Sequence, residues 1–135
     1  MATSAGISRE IERVVERVAV RITLSLQQNL EDTTPVDTSW ARANWVPALG
    51  SPFLRGRTFL DANPTPQAAG VQAQFQSAAR ATVPGYRLAS GPLFVTNNAP
   101  YINELNDGKS PQAPAFFVQR AIAKAVTDDI RGLRT

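Results

Sequence analysis

Eleven acidic and fourteen basic side chains make up nearly all the ionisable chemistry of this chain, which has neither histidine nor cysteine. That removes imidazole and thiolate zinc ligands, the Ser-His-Asp arrangement and a cysteine nucleophile. The acids are Glu10, Glu12, Glu16, Glu31, Asp32, Asp37, Asp61, Glu104, Asp107, Asp128 and Asp129. Carboxylates do acid–base work when they converge in a cleft with shifted pKa values. These fall instead along one helical pattern, at caps and at turns. Glu104 and Asp107 flank a glycine turn and could hold a cation, but the further acids of a calcium loop are missing. No glycine-rich phosphate-binding loop precedes a helix. The residue types therefore argue against an enzyme, and no cofactor or metal is expected.

The bases carry a second kind of chemistry. Of the 14 basic residues 12 are arginine, and the net charge is +3. Arginine holds carboxylates and phosphates in a planar fork. The bias suits a protein interface or phosphate contact, and a GC-rich coding genome would produce it equally. Arg9, Arg13, Arg17 and Arg21 step by four, interleaved with Glu10, Glu12 and Glu16. Three readings stand side by side: a solvated face whose ion pairs contribute about 0.2–0.5 kcal/mol each, salt bridges between subunits, or DNA contact. A nucleic-acid reader shows a dense basic patch or stacking aromatics beside its arginines. Three glutamates dilute this row, so sequence-specific DNA binding is not expected.

The elements that position these residues follow from hydrophobic spacing. Ser8 to about Leu30 reads as a long helix, with Ile7, Ile11, Val14, Val15, Val18, Ile22 and Leu26 on one face. Its length of about 35 Å exceeds what a small domain needs, which predicts that part of it packs on a neighbouring subunit. Asp37 or Thr38 is expected to cap a short helix, Ser39 to Trp45. Trp40 and Trp45 cannot share a face cleanly, which leaves two readings: both are ordinary core residues, or one is core and the other, Trp40, is a half-covered interface anchor. Trp45 to Ala48 reads as an edge strand, because Pro47 cannot donate to a ladder.

Gly50 to Asn63 is a long connection carrying Phe53, Leu54, Phe59 and Leu60 with Arg55 and Arg57. A solvated loop avoids such residues, so this stretch is expected to be an arm that docks on a neighbouring protein. Thr65-Pro66 opens a third helix, with Val71, Phe75, Ala78 and Thr82 as its buried stripe, and Pro84-Gly85 stops it. Tyr86–Ala89 and Pro92–Thr96 read as a hairpin around Ser90-Gly91. After the Asn97-Asn98 turn, Pro100 suits a first helical position and Asp107-Gly108 closes the short turn that follows. A last helix, Ala115 to about Gly132, buries Phe117, Ala121, Ile122, Ala125 and Val126. Asp128 and Asp129 oppose its dipole, so they either serve a partner or fray. The pattern is α+β, with a long N-terminal helix, a small, mainly antiparallel sheet and further helices including a C-terminal one.

Two stretches also carry a family resemblance. Asn97-Asn98-Ala99-Pro100-Tyr101, Leu105, Gly108, Ser110 and Gln112-Ala113-Pro114 resemble the C-terminal signature of the head–tail joining, or tail-completion, proteins of long-tailed bacteriophages. Thr34-Pro35-Val36-Asp37-Thr38 resembles their Thr-Pro-Val-Asp-Thr-Gly motif, with Ser39 in place of the glycine. Asn106-Asp107 stands where the family has glutamate plus one residue. Together the motifs span about a quarter of the chain, and Pro35, Asp37, Thr38, Asn98, Tyr101, Leu105, Gly108, Ser110, Gln112, Ala113 and Pro114 read as structural positions.

The resemblance implies a virion structural protein at the head–tail junction, a tail-completion, terminator or neck component. It implies a closed ring of copies, six to match tail symmetry, between the tail tube protein and the head connector, with passive contact to double-stranded DNA in the lumen. The interface residues expected are Arg9, Arg13, Arg17, Arg21, Trp40, Phe53, Leu54, Arg55, Arg57, Phe59 and Leu60. The alternative from another class is a small arginine-rich DNA-binding or DNA-end-associated module, and a third is an assembly chaperone absent from the finished particle. The 135 residues fit one domain, long enough to bury roughly 70% of its unfolded surface. No apolar run approaches the roughly 18 residues that cross a bilayer, and Met1–Ile7 lacks the pattern of a secretory signal. The protein is thus expected to be made in the host cytoplasm and to reside in the virion, with no membrane partner.

Overall fold

The computed structural model of the protein describes residues 3–34, 40–54, 66–111 and 114–132. Its elements are α1 (Ser4–Thr33), α2 (Trp40–Ala43), β1 (Trp45–Leu49), α3 (Pro66–Thr82), β2 (Leu93–Asn97), α4 (Ile102–Asn106) and α5 (Phe117–Gly132). The fold is α+β: a long N-terminal helix, a two-stranded antiparallel sheet and further helices including a C-terminal one. No described helix is long and apolar enough to cross a membrane.

α1 starts four residues earlier than the spacing predicts, because the Thr3 hydroxyl accepts from the Gly6 amide at 3.1 Å and caps it. At 30 residues it is about 45 Å long. Only its C-terminal half enters the core, through Thr23, Gln27 and Leu30, which recur at helical spacing. Leu30 packs with Trp45, Phe117 and Ala121. A second cluster holds Trp40, Ala41, Ala69 and Ala99, and Ile102 and Leu105 pack against both clusters.

β1 pairs with β2 in register Trp45↔Asn97 through Leu49↔Leu93. The expected local hairpin does not form. Val83–Gly85 and Leu88–Ser90 are 3-10 turns, and β2 finds its partner far back in the chain. Tyr86 is buried, and its hydroxyl donates to the Gly91 carbonyl at 2.8 Å, holding the two turns together. Gly50 and Gly91 close the far end of the sheet. The Gly50 amide donates to the Pro92 carbonyl at 2.8 Å, and a Cβ on Gly50 would lie 2.6 Å from the Ser90 carbonyl oxygen.

The edge of β1 is closed by side chains. The Trp45 carbonyl accepts from Gln76 Nε2 at 2.8 Å and from Gln27 Nε2 at 3.3 Å, and the Gln76 amide also reaches the Arg42 carbonyl at 2.9 Å. This overturns the predicted buried stripe of α3. Ala69, Gln72 and Gln76 are its buried residues, while Val71 is 67% exposed and Phe75 40%. Ala78 and Thr82 are also exposed. A buried strand edge needs donors more than it needs methyl groups, so the glutamine face turns inward and the apolar stripe faces out.

α5 also departs from expectation. It begins at Phe117, not Ala115, because Phe116 adopts φ 62° and its amide donates to the Asn106 carbonyl at 2.6 Å. Its buried row is Phe117, Ala121, Ala125 and Asp129, leaving Ile122 exposed and Val126 half-buried. Asp129 does not fray: Arg21 Nε of α1 lies 3.6 Å from its Oδ1. Asp128 pairs with Lys124 one turn back, also at 3.6 Å. Trp40 is a core residue, not a half-covered anchor.

Replacing Gln76 by Leu takes the side-chain donor from the Arg42 carbonyl and leaves the Trp45 carbonyl with the longer Gln27 bond, and should cost about 1–3 kcal/mol in urea unfolding. Val71→Gln, at the position the spacing assigns to the core, should change stability by less than about 0.5 kcal/mol.

Candidate functional site

α5 runs antiparallel to α1 and sets how much of it is covered. Asn29 Nδ2 donates to the Ala121 carbonyl at 3.4 Å, and eight residues earlier Arg21 meets Asp129. The Arg21 guanidinium also lies against Gly132, where an added Cβ would sit 2.8 Å from Nη2. α5 therefore ends beside Arg21. Toward its N-terminus, α1 has no antiparallel neighbour among the described residues.

The apolar row of α1 continues past that point. Ile7, Ile11, Val14, Val18 and Ile22 share one face with Asn29, at a helical period of 3.6. Val18 and Ile22 are half-buried where α5 lies alongside. Ile7, Ile11, Val14 and Val15 are 47%, 59%, 46% and 45% exposed. The back of this half-helix meets the fold at Glu16, whose Oε1 accepts from the Leu88 amide at 3.1 Å. An open depression of about 1320 Å³ runs along Arg9–Arg21 and up to Pro84, Tyr86 and Arg87. Its acids, Glu10, Glu12 and Glu16, lie along one helix, Glu10 and Glu12 about 200° apart around its axis, and do not converge on a point. Among the described residues no group of three or more acidic side chains could hold a metal ion.

The arginine row divides. Arg9, Arg13 and Arg17 are exposed, whereas Arg21 is engaged with Asp129. Phe53 is half-buried, its ring 4.9 Å from that of Phe75, and Leu54 is 74% exposed. The Phe53 carbonyl accepts from Asn98 Nδ2 and Thr96 Oγ1, each at 3.0 Å. These bonds fix where the Gly50–Asn63 connection leaves the sheet. Arg55, Arg57, Phe59 and Leu60 lie outside the described residues, as do Pro35, Asp37, Thr38, Gln112 and Ala113.

The remaining motif positions gather around α4. Tyr101 and Leu105 pack on the Trp40 cluster. Gly108 has φ 90°, and a Cβ there would come within 2.9 Å of the Ala115 Cβ. Asn106 Oδ1 accepts from the Val118 amide at 3.0 Å, and Asn106 Nδ2 donates to Gln119 Oε1 at 3.0 Å. The Tyr101–Pro114 segment thus bridges α4 to the start of α5. Ser110 is half-buried and Pro114 exposed.

The spacing places the apolar row on one face of α1 and its length predicts that part of it lies beyond the core; the structure locates that part in the N-terminal half. The signal lay in relative lengths: the C-terminal helix is 16 residues and α1 is 30. The spacing missed Val71 and Phe75 as surface residues, for the reason given by Gln76. Comparison with protein-family models, with curated proteins and with solved structures finds no match to this chain.

Glu31 lies away from this surface, at the C-terminal end of α1. Burial pushes the Glu31 carboxyl above its ordinary 4.5, opposed by Arg80 at 3.7 Å and by the Gln27 amide. A carboxyl that binds its proton more tightly when folded costs stability as pH rises through the range from 4.5 to its raised value. Urea unfolding of the wild type should show that fall between acid and neutral pH, and Glu31→Gln should flatten it.

Proposed function

We propose that this chain is a structural protein of a long-tailed phage particle, a tail-completion or neck component at the head–tail junction. It works through the surfaces it presents to copies of itself and to adjoining proteins, not by converting a small molecule. The observation that carries this reading is the exposed row Ile7, Ile11, Val14 and Val15 on the N-terminal half of α1, beyond its described contacts with α5. Contiguous apolar surface of that kind marks a contact with another molecule. The two motif stretches, by their resemblance to the tail-completion family, support the placement at the junction.

In this reading copies assemble into a ring of six between the tail tube protein and the head connector. A ring closed by rotation uses two different patches on each subunit. The half-helix of α1 is one. The outward face at Phe53, Leu54, Val71 and Phe75 supplies the other. Arg9, Arg13 and Arg17 are free to meet acidic groups of a neighbour, or DNA passing through the lumen. A dedicated DNA-binding role is not favoured, since Glu10, Glu12 and Glu16 stand among these arginines and Arg21 is tied to Asp129.

The test is genetic and structural together. Particles made from the genome that encodes this chain should contain it by mass spectrometry. Ile11→Asp combined with Val14→Asp should leave its thermal unfolding unchanged while heads and tails accumulate unjoined. Infectious particles lacking the chain, or normal joining by the double variant, would overturn the reading.

A further inference from the structure

The row on α1 has a spacing that selects its occupant. Ile7, Ile11, Val14 and Val18 recur at steps of four, three and four, the a/d pattern of a two-helix seam. With Ile11 and Val18 at a, and Ile7 and Val14 at d, Glu10 and Arg17 both fall at g, while Ser8 and Val15 fall at e. When two such helices pair antiparallel, equivalent flanks face each other. Ile11 then packs on Val14 of the second copy and Ile7 on Val18. On the g flank Glu10 meets Arg17 of the second copy, twice by symmetry. On the e flank Ser8 meets Val15, with no charge on either side. A parallel pair sets g against e and brings no opposite charges together.

The location agrees with the charge pattern. Among the described residues, α5 covers this face of α1 from Asn29 down to Arg21, running antiparallel. A second α1 in the antiparallel sense lies along the same face in the same direction as α5. It takes over at Val18, one turn beyond the described contact of α5 with Arg21. The interface within the fold and the interface between copies are then one continuous seam.

We infer that the half-helix Ser4–Val18 of α1 is a self-association surface on which two copies of this chain pair antiparallel about a two-fold axis near Ile11–Val14, with Glu10 of each paired to Arg17 of the other. The inference stands on the seam and not on the phage reading. A two-fold contact closes at two and does not build a ring. It describes the free protein, whose seam stays covered until a contact in an assembly displaces the second copy.

Sedimentation equilibrium of the full chain across micromolar to millimolar concentration tests it. The wild type should show a reversible monomer–dimer equilibrium that weakens with salt. Glu10→Arg and Arg17→Glu each set like charges together and should each weaken the dimer by about tenfold or more. The two single variants mixed should form a heterodimer of roughly wild-type strength. The double variant E10R/R17E should recover the homodimer. Circular dichroism melts, expected to be unchanged, confirm that each variant is folded. A wild type that stays monomeric, a higher oligomer without a dimer, or single variants that weaken association with no rescue on mixing would each overturn the pairing. None of these results bears on whether particles contain the chain, so the two readings fail separately.

Discussion

The carbonyl of Trp45 takes two side-chain amides, one from Gln27 of α1 and one from Gln76 of α3. A sheet of two strands has no interior strand, so any edge it buries must be satisfied by something other than another strand. Here glutamines do it, and the rest of the arrangement depends on their places. Gln27 fixes the rotation of α1 about its axis, with Thr23 and Leu30 on the same inward row. Gln76 fixes the rotation of α3, with Ala69 and Gln72 inward. The Trp45 indole adds a third tie to the end of α1, donating to Thr34 Oγ1 at 2.8 Å.

Those rotations decide what faces outward. α1 has two useful faces: the polar and leucine row that meets β1, and the isoleucine and valine row that meets α5. The second outruns its partner. Fully burying an isoleucine or valine is worth about 1.5–3 kcal/mol, so several half-exposed ones along an isolated half-helix amount to a sizeable unmet driving force. Few tertiary contacts hold that half-helix, and a helix in water gains little from propensity alone. A partner that covers the seam would stabilise the helix and be bound by it at once.

Much of this was legible in the residues, and the losses have physical causes. Periodicity of 3.6 located α1, α3 and α5, and the strand ending at Asn97 was visible from its turn. Which apolar stripe faces inward was not visible, because hydrophobic spacing does not register a buried carbonyl that needs a glutamine donor. α3 is the plainest case: its best apolar stripe points to solvent. The pairing of β1 with β2 was missed because Ser90-Gly91 has the chemistry of a hairpin turn, and Tyr86, buried in a 3-10 region, reads locally as a strand former. Asp129 looked like a poor residue near a helix C-terminus until Arg21 arrived from more than a hundred residues away in sequence. In the surface region, the arginines of α1 stand out in the sequence by type and spacing, whereas the exposure of the apolar row beside them depends on where α5 lies, which the row's own spacing does not register.

The central claim is that the chain leaves the N-terminal half of α1 uncovered and that another protein molecule covers it. Amide hydrogen exchange measured at low and at high protein concentration tests this most directly. The expected result is strong protection at both concentrations for residues 23–30, and weak protection for residues 7–18 that rises with concentration. Protection of residues 7–18 that is already strong in dilute solution and indifferent to concentration would contradict it.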